Sequence, residues 1–286
     1  MTTAAELLDL IALEAIERDI FRGQNEENFG PRLFGGQVMA QAVAAASATV
    51  EATQRGHSLH GYFLRPGDTR VPVLYRVERI RDGRSFVTRR IVAIQNGQAI
   101  FSMDMSFHTD EPGLTHQIDM KDYPSPDELE EDRVTITRID PAMATSGWAR
   151  RERGFDLKSV FPLDTPRPTN EENPVWLRFH EPIPESDPRN QMLLAYASDM
   201  GFVSTAFLRH RDSHTRDEIQ MASLDHAMWF HKPFTAGEWL LYVKESTNAG
   251  RSRGYNRGGF YTRDGELVAS SMQEGLMRVR SETPRA

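Results

Sequence analysis

Phe63-Leu64-Arg65-Pro66, followed by Leu74-Tyr75, Gly83-Arg84-Ser85, a turn at Asn96-Gly97 and then Ser102-Met103, is a script that the chain reads twice. The second reading runs Phe230-His231-Lys232-Pro233, Leu241-Tyr242, Gly250-Arg251-Ser252, Asp264-Gly265 and Ser271-Met272. The offset is 167 positions at Phe230 and 169 at Ser271. A repeat of this length, holding its order and spacing, means two similar domains and not a solenoid of short units. The differences between the copies then matter, because a shared scaffold can carry chemistry in one copy only.

Each copy predicts one helix embraced by an antiparallel sheet, an α+β arrangement. In the first, Phe34-Gly35-Gly36-Gln37 opens Val38 to Ala46, a run of small helix formers that is apolar nearly all round and therefore buried. Strand patterns follow at Val73 to Ile80, Phe86 to Gln95 and Ala99 to Phe107, the last two flanking Asn96-Gly97, a strong hairpin signal. In the second, Val175 to Phe179 is the first clear strand and Met192 to Phe202 the helix. Strands are then expected at Ser223 to Phe230, Trp239 to Ser246, Tyr255 to Thr262 and Glu266 to Met277. Leu7 to Ile20 also has apolar residues at helical spacing. Between the copies, Asp119 to Asp132 is acidic and proline-punctuated, as a solvated linker would be. The expected division is 1–110, a linker region 111–154, and 155–286.

Composition narrows the function classes. With 39% apolar and 26% charged residues in 286, the chain is of globular type. The run from Val38 to Ala46 is about half of the roughly 20 residues a membrane-spanning helix needs. The first 17 residues carry acidic groups where a secretory signal carries basic ones, and Ser281 to Ala286 lacks the S-K-L peroxisomal address, so a cytoplasmic location is expected. The absence of cysteine excludes disulfides, thiolate nucleophiles and thiolate metal ligands. A net charge of −7 argues against nucleic acid as partner, while leaving room for local arginines on a phosphorylated small ligand. No metal or cofactor is expected.

FRGQ (21–24), FGGQ (34–37), HSLHGYFLRPGD (57–68), RDGRSF (81–86), YASD (196–199), SLDHAMWFH (223–231), GGFYTRDGELVAS (258–270) and QEG (273–275) together resemble acyl-CoA thioesterase II, the TesB type. The resemblance covers nearly the whole chain apart from the acidic linker. It implies a double hotdog, in which two units of one chain imitate a two-chain dimer. It also implies hydrolysis of fatty acyl-CoA to free acid and CoA, and assembly as a homo-oligomer, dimer or tetramer. Matched residue by residue, the family's active site falls on Asp199, Ser223 and Gln273, with Ser at the position where the family carries Thr or Ser.

The chemistry of these residues agrees with such a site. An aspartate ending an apolar helix is costly to bury, and functional sites are where that cost is tolerated. Ser223 can donate and accept, and the Gln273 amide does both without taking a proton. The three are expected to hold and polarise a water that Asp199 deprotonates, with a backbone N–H near a helix start as oxyanion donor. No serine is read as a nucleophile-elbow residue, so direct water attack is expected over an acyl-serine, with an anhydride on Asp199 as a further route. By alignment of the copies, Ser58 is expected opposite Ser223 and Asp104 opposite Gln273, with no acid opposite Asp199. One site per chain follows, carried by the second copy.

Arg65, Arg84 and Arg251 are candidates for the CoA phosphates, and Gly35-Gly36 for close ligand approach or anion binding at a helix start. His57 and His60 would be the proton carriers of a hotdog hydratase or dehydratase, and a non-catalytic acyl-CoA-binding module is the other alternative class. Asp225, two strand residues from Ser223, is expected on the same face as it.

Overall fold

A computed structural model describes residues 3–26, 32–139, 154–163 and 172–280. The end of the 111–154 linker region and the C-terminal residues on which the absent S-K-L rests lie outside the described residues. The first copy comprises α1 (Ala4–Ile11), β1 (Glu14–Glu17), β2 (Ile20–Gly23), α2 (Gly35–Ser47), β3 (Gln54–Phe63), β4 (Val73–Asp82), β5 (Phe86–Gln95) and β6 (Gln98–Thr109). A short α3 (Asp132–Ile139) precedes β7 (Phe155–Ser159), β8 (Asn173–Phe179), α4 (Arg189–Ser198) and α5 (Phe202–Phe207). Then come β9 (Ile219–Ser223), β10 (Asp225–Phe230), β11 (Leu240–Gly250), β12 (Arg253–Thr262) and β13 (Leu267–Val279).

The strands form one continuous sheet in the order β1-β2-β4-β5-β6-β3-β10-β13-β12-β11-β8-β7, with β9 added to the end of β13. The expected pair of sheets is therefore joined edge to edge, by antiparallel pairing of β3 with β10 from Ser58↔Trp229 to Tyr62↔Asp225. The helices α2 and α4 pack against each other and are both buried. Residues 36–46 of α2 are all buried, including Gln37 and Gln41, and so are Met192 to Ser198 of α4. Gln41 is accommodated because its amide donates to the Leu10 and Gln24 carbonyls and accepts from Tyr75 Oη.

Asn96 (φ 49°) and Gly97 (φ 73°) form the β5–β6 turn in the left-handed conformation that dipeptide favours. The helical spacing over Leu7 to Ile20 holds only as far as Ile11, after which β1 and β2 make a hairpin turning at Asp19 (φ 60°). A run that can serve either period was decided by pairing of β2 with β4.

The acidic segment between the copies is more than a solvated linker. Met120, Tyr123 and Leu129 pack with Val160, Trp176, Trp239, Leu241 and Tyr261 in a second apolar cluster. Trp176 Nε1 donates to the Pro124 carbonyl at 2.9 Å and Lys158 Nζ to that of Pro126 at 2.7 Å. The prolines and acids thus mark a strap whose apolar residues, spaced between them, cover one face of the second unit.

Candidate active site

Ser198 ends α4, Asp199 caps it, and Gly201 at φ 66° turns the chain into α5. The predicted single helix from Met192 to Phe202 is broken there. A left-handed glycine directly after a helix is a common stop, and here it leaves Asp199 at the break with its side chain turned inward. Asp199 Oδ1 accepts from Gln273 Nε2 at 2.7 Å and from Ser223 Oγ at 3.3 Å, and Oδ2 accepts from the Gly36 backbone N–H at 3.0 Å. The carboxylate is 8% exposed. Burial pushes its pKa up from 3.8 to about 6, against the lowering effect of the bonds from Gln273, Ser223 and Gly36.

Gly35 and Gly36 explain themselves by what a side chain would meet. A Cβ on Gly35 would lie 2.7 Å from Asp199 Oδ2 and 2.9 Å from the Phe63 ring, and one on Gly36 would lie 2.3 Å from the Tyr196 carbonyl oxygen. The start of α2 is thus pressed against the end of α4. The anion at this helix start is the protein's own carboxylate, placed where the helix dipole is positive.

Gln273 is fully buried on β13. Its Nε2 also donates to His226 Nδ1 at 3.0 Å. Burial takes the His226 pKa down to about 3, so the ring is neutral. Its Nε2–H then donates to Ser198 Oγ at 3.0 Å, and that hydroxyl donates to the Ala195 carbonyl. This chain of bonds gives the second hydrogen of Gln273 Nε2 its acceptor.

His226, and not Asp225, shares the inner face with Ser223. Ser223 pairs with Gly275, whereas Ala227 pairs with Met272. One extra residue stands between them, and such a bulge reverses the alternation. Asp225 Oδ1 instead accepts the Glu274 N–H at 2.6 Å and pins the bulge. SLDH carried the signal for His226, but the face could not be read without the bulge.

The strand pairing also corrects the alignment of the copies. Asn256 pairs with Gln273 as Arg89 pairs with Met105, so Met105 is the counterpart of Gln273. Asp104 is ion-paired to Arg90 at 2.9 Å on the outer face. A bulge between Gly56 and Ser58 mirrors the one after Ser223, which makes Gly56 the counterpart of Ser223 in place of Ser58. Both errors came from matching like residues, Ser-Met with Ser-Met and Ser-Leu with Ser-Leu, in place of strand positions. At the corresponding end of the first copy lies a cleft of about 300 Å³, lined by residues including His57, His108, Gln191 and Lys232. His57 accepts or donates with Ser106 Oγ at 2.8 Å, and His60 stacks edge-on against Trp229 on the other face. Neither histidine is in the Asp199 cluster.

The three candidate arginines separate. Arg65 follows Phe63, whose N–H donates to the Leu224 carbonyl beside Ser223; its own Nη1 donates to the Ala99 carbonyl at 2.8 Å. Arg251 tips the β11–β12 hairpin, about 16 Å along the strand from Asn256 at the usual rise. Arg84 precedes β5, whose Phe86 pairs with His108 and through it reaches Arg55, at the start of β3. The Asp199 cluster adjoins the other end of that strand, so Arg84 is not near it.

Gly250-Arg251-Ser252-Arg253-Gly254 does spell G-x-S-x-G, which corrects the expectation that the pattern is absent from the chain. Arg251 (φ 50°) and Ser252 (φ 60°) are the two central residues of a hairpin turn between strands. A nucleophile elbow is a strand-to-helix turn, so the spelling is coincidental. Among the described residues no cluster of His, Asp and Glu could hold a metal ion, and no helix is long and apolar enough to cross a membrane.

The model of the acyl-CoA thioesterase N-terminal domain matches residues 25–108, and that of the acyl-CoA thioesterase family matches residues 167–276. Acyl-coenzyme A thioesterase 8 of Mus musculus is 39% identical, over 96% of this chain and 89% of its own length. The chain belongs to the acyl-CoA thioesterase family. Another member, acyl-CoA thioesterase 2 of Haemophilus influenzae, is 34% identical over 95% of this chain and 96% of its own. An acyl-CoA thioesterase II from Mycobacterium marinum superposes with a TM-score of 0.80 at 38% identity, covering 98% of this chain and 99% of that one. A hot dog fold protein from Alicyclobacillus acidocaldarius, 18% identical with a TM-score of 0.79, shares the fold. The double hotdog expected of this family member is thus the fold it has.

Proposed function

We propose that the protein hydrolyses fatty acyl-CoA thioesters to fatty acid and CoA, with Asp199 as general base. The observation that carries the site is the carboxylate held on three sides by Gly36, Ser223 and Gln273, with a pKa near the range a base needs. Ionised Asp199 takes a proton from a water as that water's oxygen attacks the thioester carbonyl. The tetrahedral intermediate then expels the CoA thiolate, which receives the proton from Asp199. Ser223 can orient the water, since its hydroxyl both donates and accepts. Gln273 acts on the carboxylate, because both hydrogens of its Nε2 are engaged by Asp199 and His226. A backbone N–H near a helix start would stabilise the developing oxyanion, the Gly36 N–H itself being engaged by Asp199. The site belongs to the 155–286 unit and is completed by Gly36 of the 1–110 unit. Arg65 and Arg251 are the candidate contacts for the CoA phosphates.

Thiol release from a series of acyl-CoAs tests the activity, and its pH profile tests the base. A single proton should switch kcat/KM off on the acid side with a midpoint near 6. Hydration of enoyl-CoA without thiol release, or binding without turnover, would replace this reading by the hydratase or the binding module. The same shift acts on folding. Because the folded-state pKa lies above 3.8, the folded chain holds this proton more tightly than the unfolded one. Stability from this group is full below about pH 4 and is lost as pH rises through 6, by an amount on the order of 3 kcal/mol.

A homo-oligomer remains part of the proposal. The outer face of the first unit exposes Tyr62, Leu74, Ile80 and Phe86, whereas the strap covers that of the second. Sedimentation equilibrium should give a dimer or tetramer, and a monomer at micromolar concentration would remove it.

A further inference from the structure

Among the described residues, the buried side-chain polar atoms without a hydrogen-bond partner number three: Asn256 Nδ2, Asn256 Oδ1 and Gln273 Oε1. All three sit on one cross-strand pair, Asn256 on β12 directly opposite Gln273 on β13. Both residues are fully buried. A folded protein rarely leaves such atoms unmatched, and doing so repeatedly at one point calls for a reason. The first copy shows that the position need not be left so. Its equivalent, by the same 167-residue offset and the same strand pairing, is Arg89, opposite Met105. Arg89 is just as buried, yet its guanidinium donates to Thr49 Oγ1 and to the carbonyls of Thr49, Arg81 and Thr88. One copy uses the position to cap the end of α2; the other keeps a carboxamide with nothing of its own to bind.

We propose that Asn256 is a positioning residue, whose Nδ2 is the donor for Gln273 Oε1 and keeps the Gln273 amide turned with Nε2 toward Asp199. Directly opposed side chains have Cβ atoms roughly 5 Å apart, so rotation of the short Asn side chain brings its amide within reach of the Gln273 oxygen. Gln273 is then held at both ends, by Asn256 on Oε1 and by His226 on Nε2. Without the first, the amide can turn its oxygen toward the Asp199 carboxylate, replacing a donor by a repelling acceptor. This inference rests on the proposed role of the Asp199 cluster. Asn256 touches neither Asp199 nor, being fully buried, the substrate.

The test compares Asn256→Leu and Asn256→Ala with Gln273→Ala and the Asn256→Ala/Gln273→Ala double variant. The two single Asn256 changes are expected to lower kcat about tenfold or more with KM within about twofold, the signature of lost positioning. The acid limb of the pH profile should move up, because a turned Gln273 amide disfavours the ionised carboxylate. Burial and the bonds from Gln273, Ser223 and Gly36 set this baseline; the titratable groups nearby are the neutral His226 on β10, Tyr242 on β11 and Lys244, whose Nζ lies 3.4 Å from the Met200 carbonyl. Asn256→Leu should remain folded but melt a few degrees below the parent, since it leaves Gln273 Oε1 buried without its donor. In the Gln273→Ala background, Asn256→Ala should cost nothing further, because it acts through Gln273. Unchanged kcat and acid limb in a folded Asn256→Ala, with Gln273→Ala impaired, overturn this inference alone; additive losses in the double variant do so too. A Gln273→Ala enzyme with full activity removes the proposed site and this inference with it. Asn256→Ala, smaller than the native residue, answers the question if Asn256→Leu fails to fold.

Discussion

Asp199→Asn should lower kcat/KM for acyl-CoA hydrolysis by about a thousandfold, within the range that loss of a general base produces. The amide keeps one oxygen for Gln273 Nε2 and Ser223 Oγ but cannot take a proton. Its NH2 group faces the Gly36 N–H, so that donor loses its acceptor. Relief of the buried charge and loss of that bond are of similar size, about 1–3 kcal/mol each. The melting temperature at pH 8 should therefore shift by only a few degrees, which separates lost chemistry from lost fold. Residual activity should also lose the acid limb near pH 6. Hydrolysis at more than about a tenth of the parental rate, with the limb intact, would show that another group is the base. Single-turnover hydrolysis by the parent in 18O-labelled water distinguishes the covalent route, which would leave label on the Asp199 carboxylate.

Gly36→Ala is expected to damage both stability and turnover, although helix propensity alone points the other way. Alanine is favoured over glycine in a helix by about 1 kcal/mol. Here, however, the new methyl would stand 2.3 Å from the Tyr196 carbonyl oxygen and 2.5 Å from the Phe34 ring. The nearer obstacle is backbone, so α2 and α4 must part, at a cost of about 1–3 kcal/mol. That movement withdraws the Gly36 N–H from Asp199 Oδ2. A displacement of about 1 Å at a catalytic group can cost roughly a hundredfold, and loss of the bond moves the acid limb above 6. Urea denaturation and the pH profile of the same preparation read both effects. A stabilised variant of normal activity would mean that the helices are not in contact as described.

The outline of both units could be read from their turns and their two apolar helices, because those signals are local. Asn96-Gly97 announces a hairpin by its own backbone preference, and Val38 to Ala46 announces burial by lacking a polar face. Asp199 and Gln273 were also legible, through the motifs that contain them. What misled was counting along strands. Neither bulge, at Gly56 nor after Ser223, leaves a mark in the residue types around it. Through the second, Asp225 was assigned to the wrong face and His226 was passed over, while Asp104 and Ser58 were misaligned by matching like residues between the copies. Arg84 misled differently. Arg84 and Arg251 occupy the same place in their copies, and a two-fold relation between the units sends them to opposite ends of the sheet.

By itself, then, the sequence determined a duplicated α+β chain, its buried helices, its hairpins, and a second copy richer in inward chemistry. Tertiary structure decided that β3 and β10 fuse the two sheets, and that the start of one copy's helix meets the end of the other's. It also decided that the carboxylate of Asp199 is held by a backbone N–H 163 positions away in the chain. Propensity and periodicity act over a few residues. The ionisation of Asp199 depends on desolvation and on donors from three separate elements, and only packing brings those together.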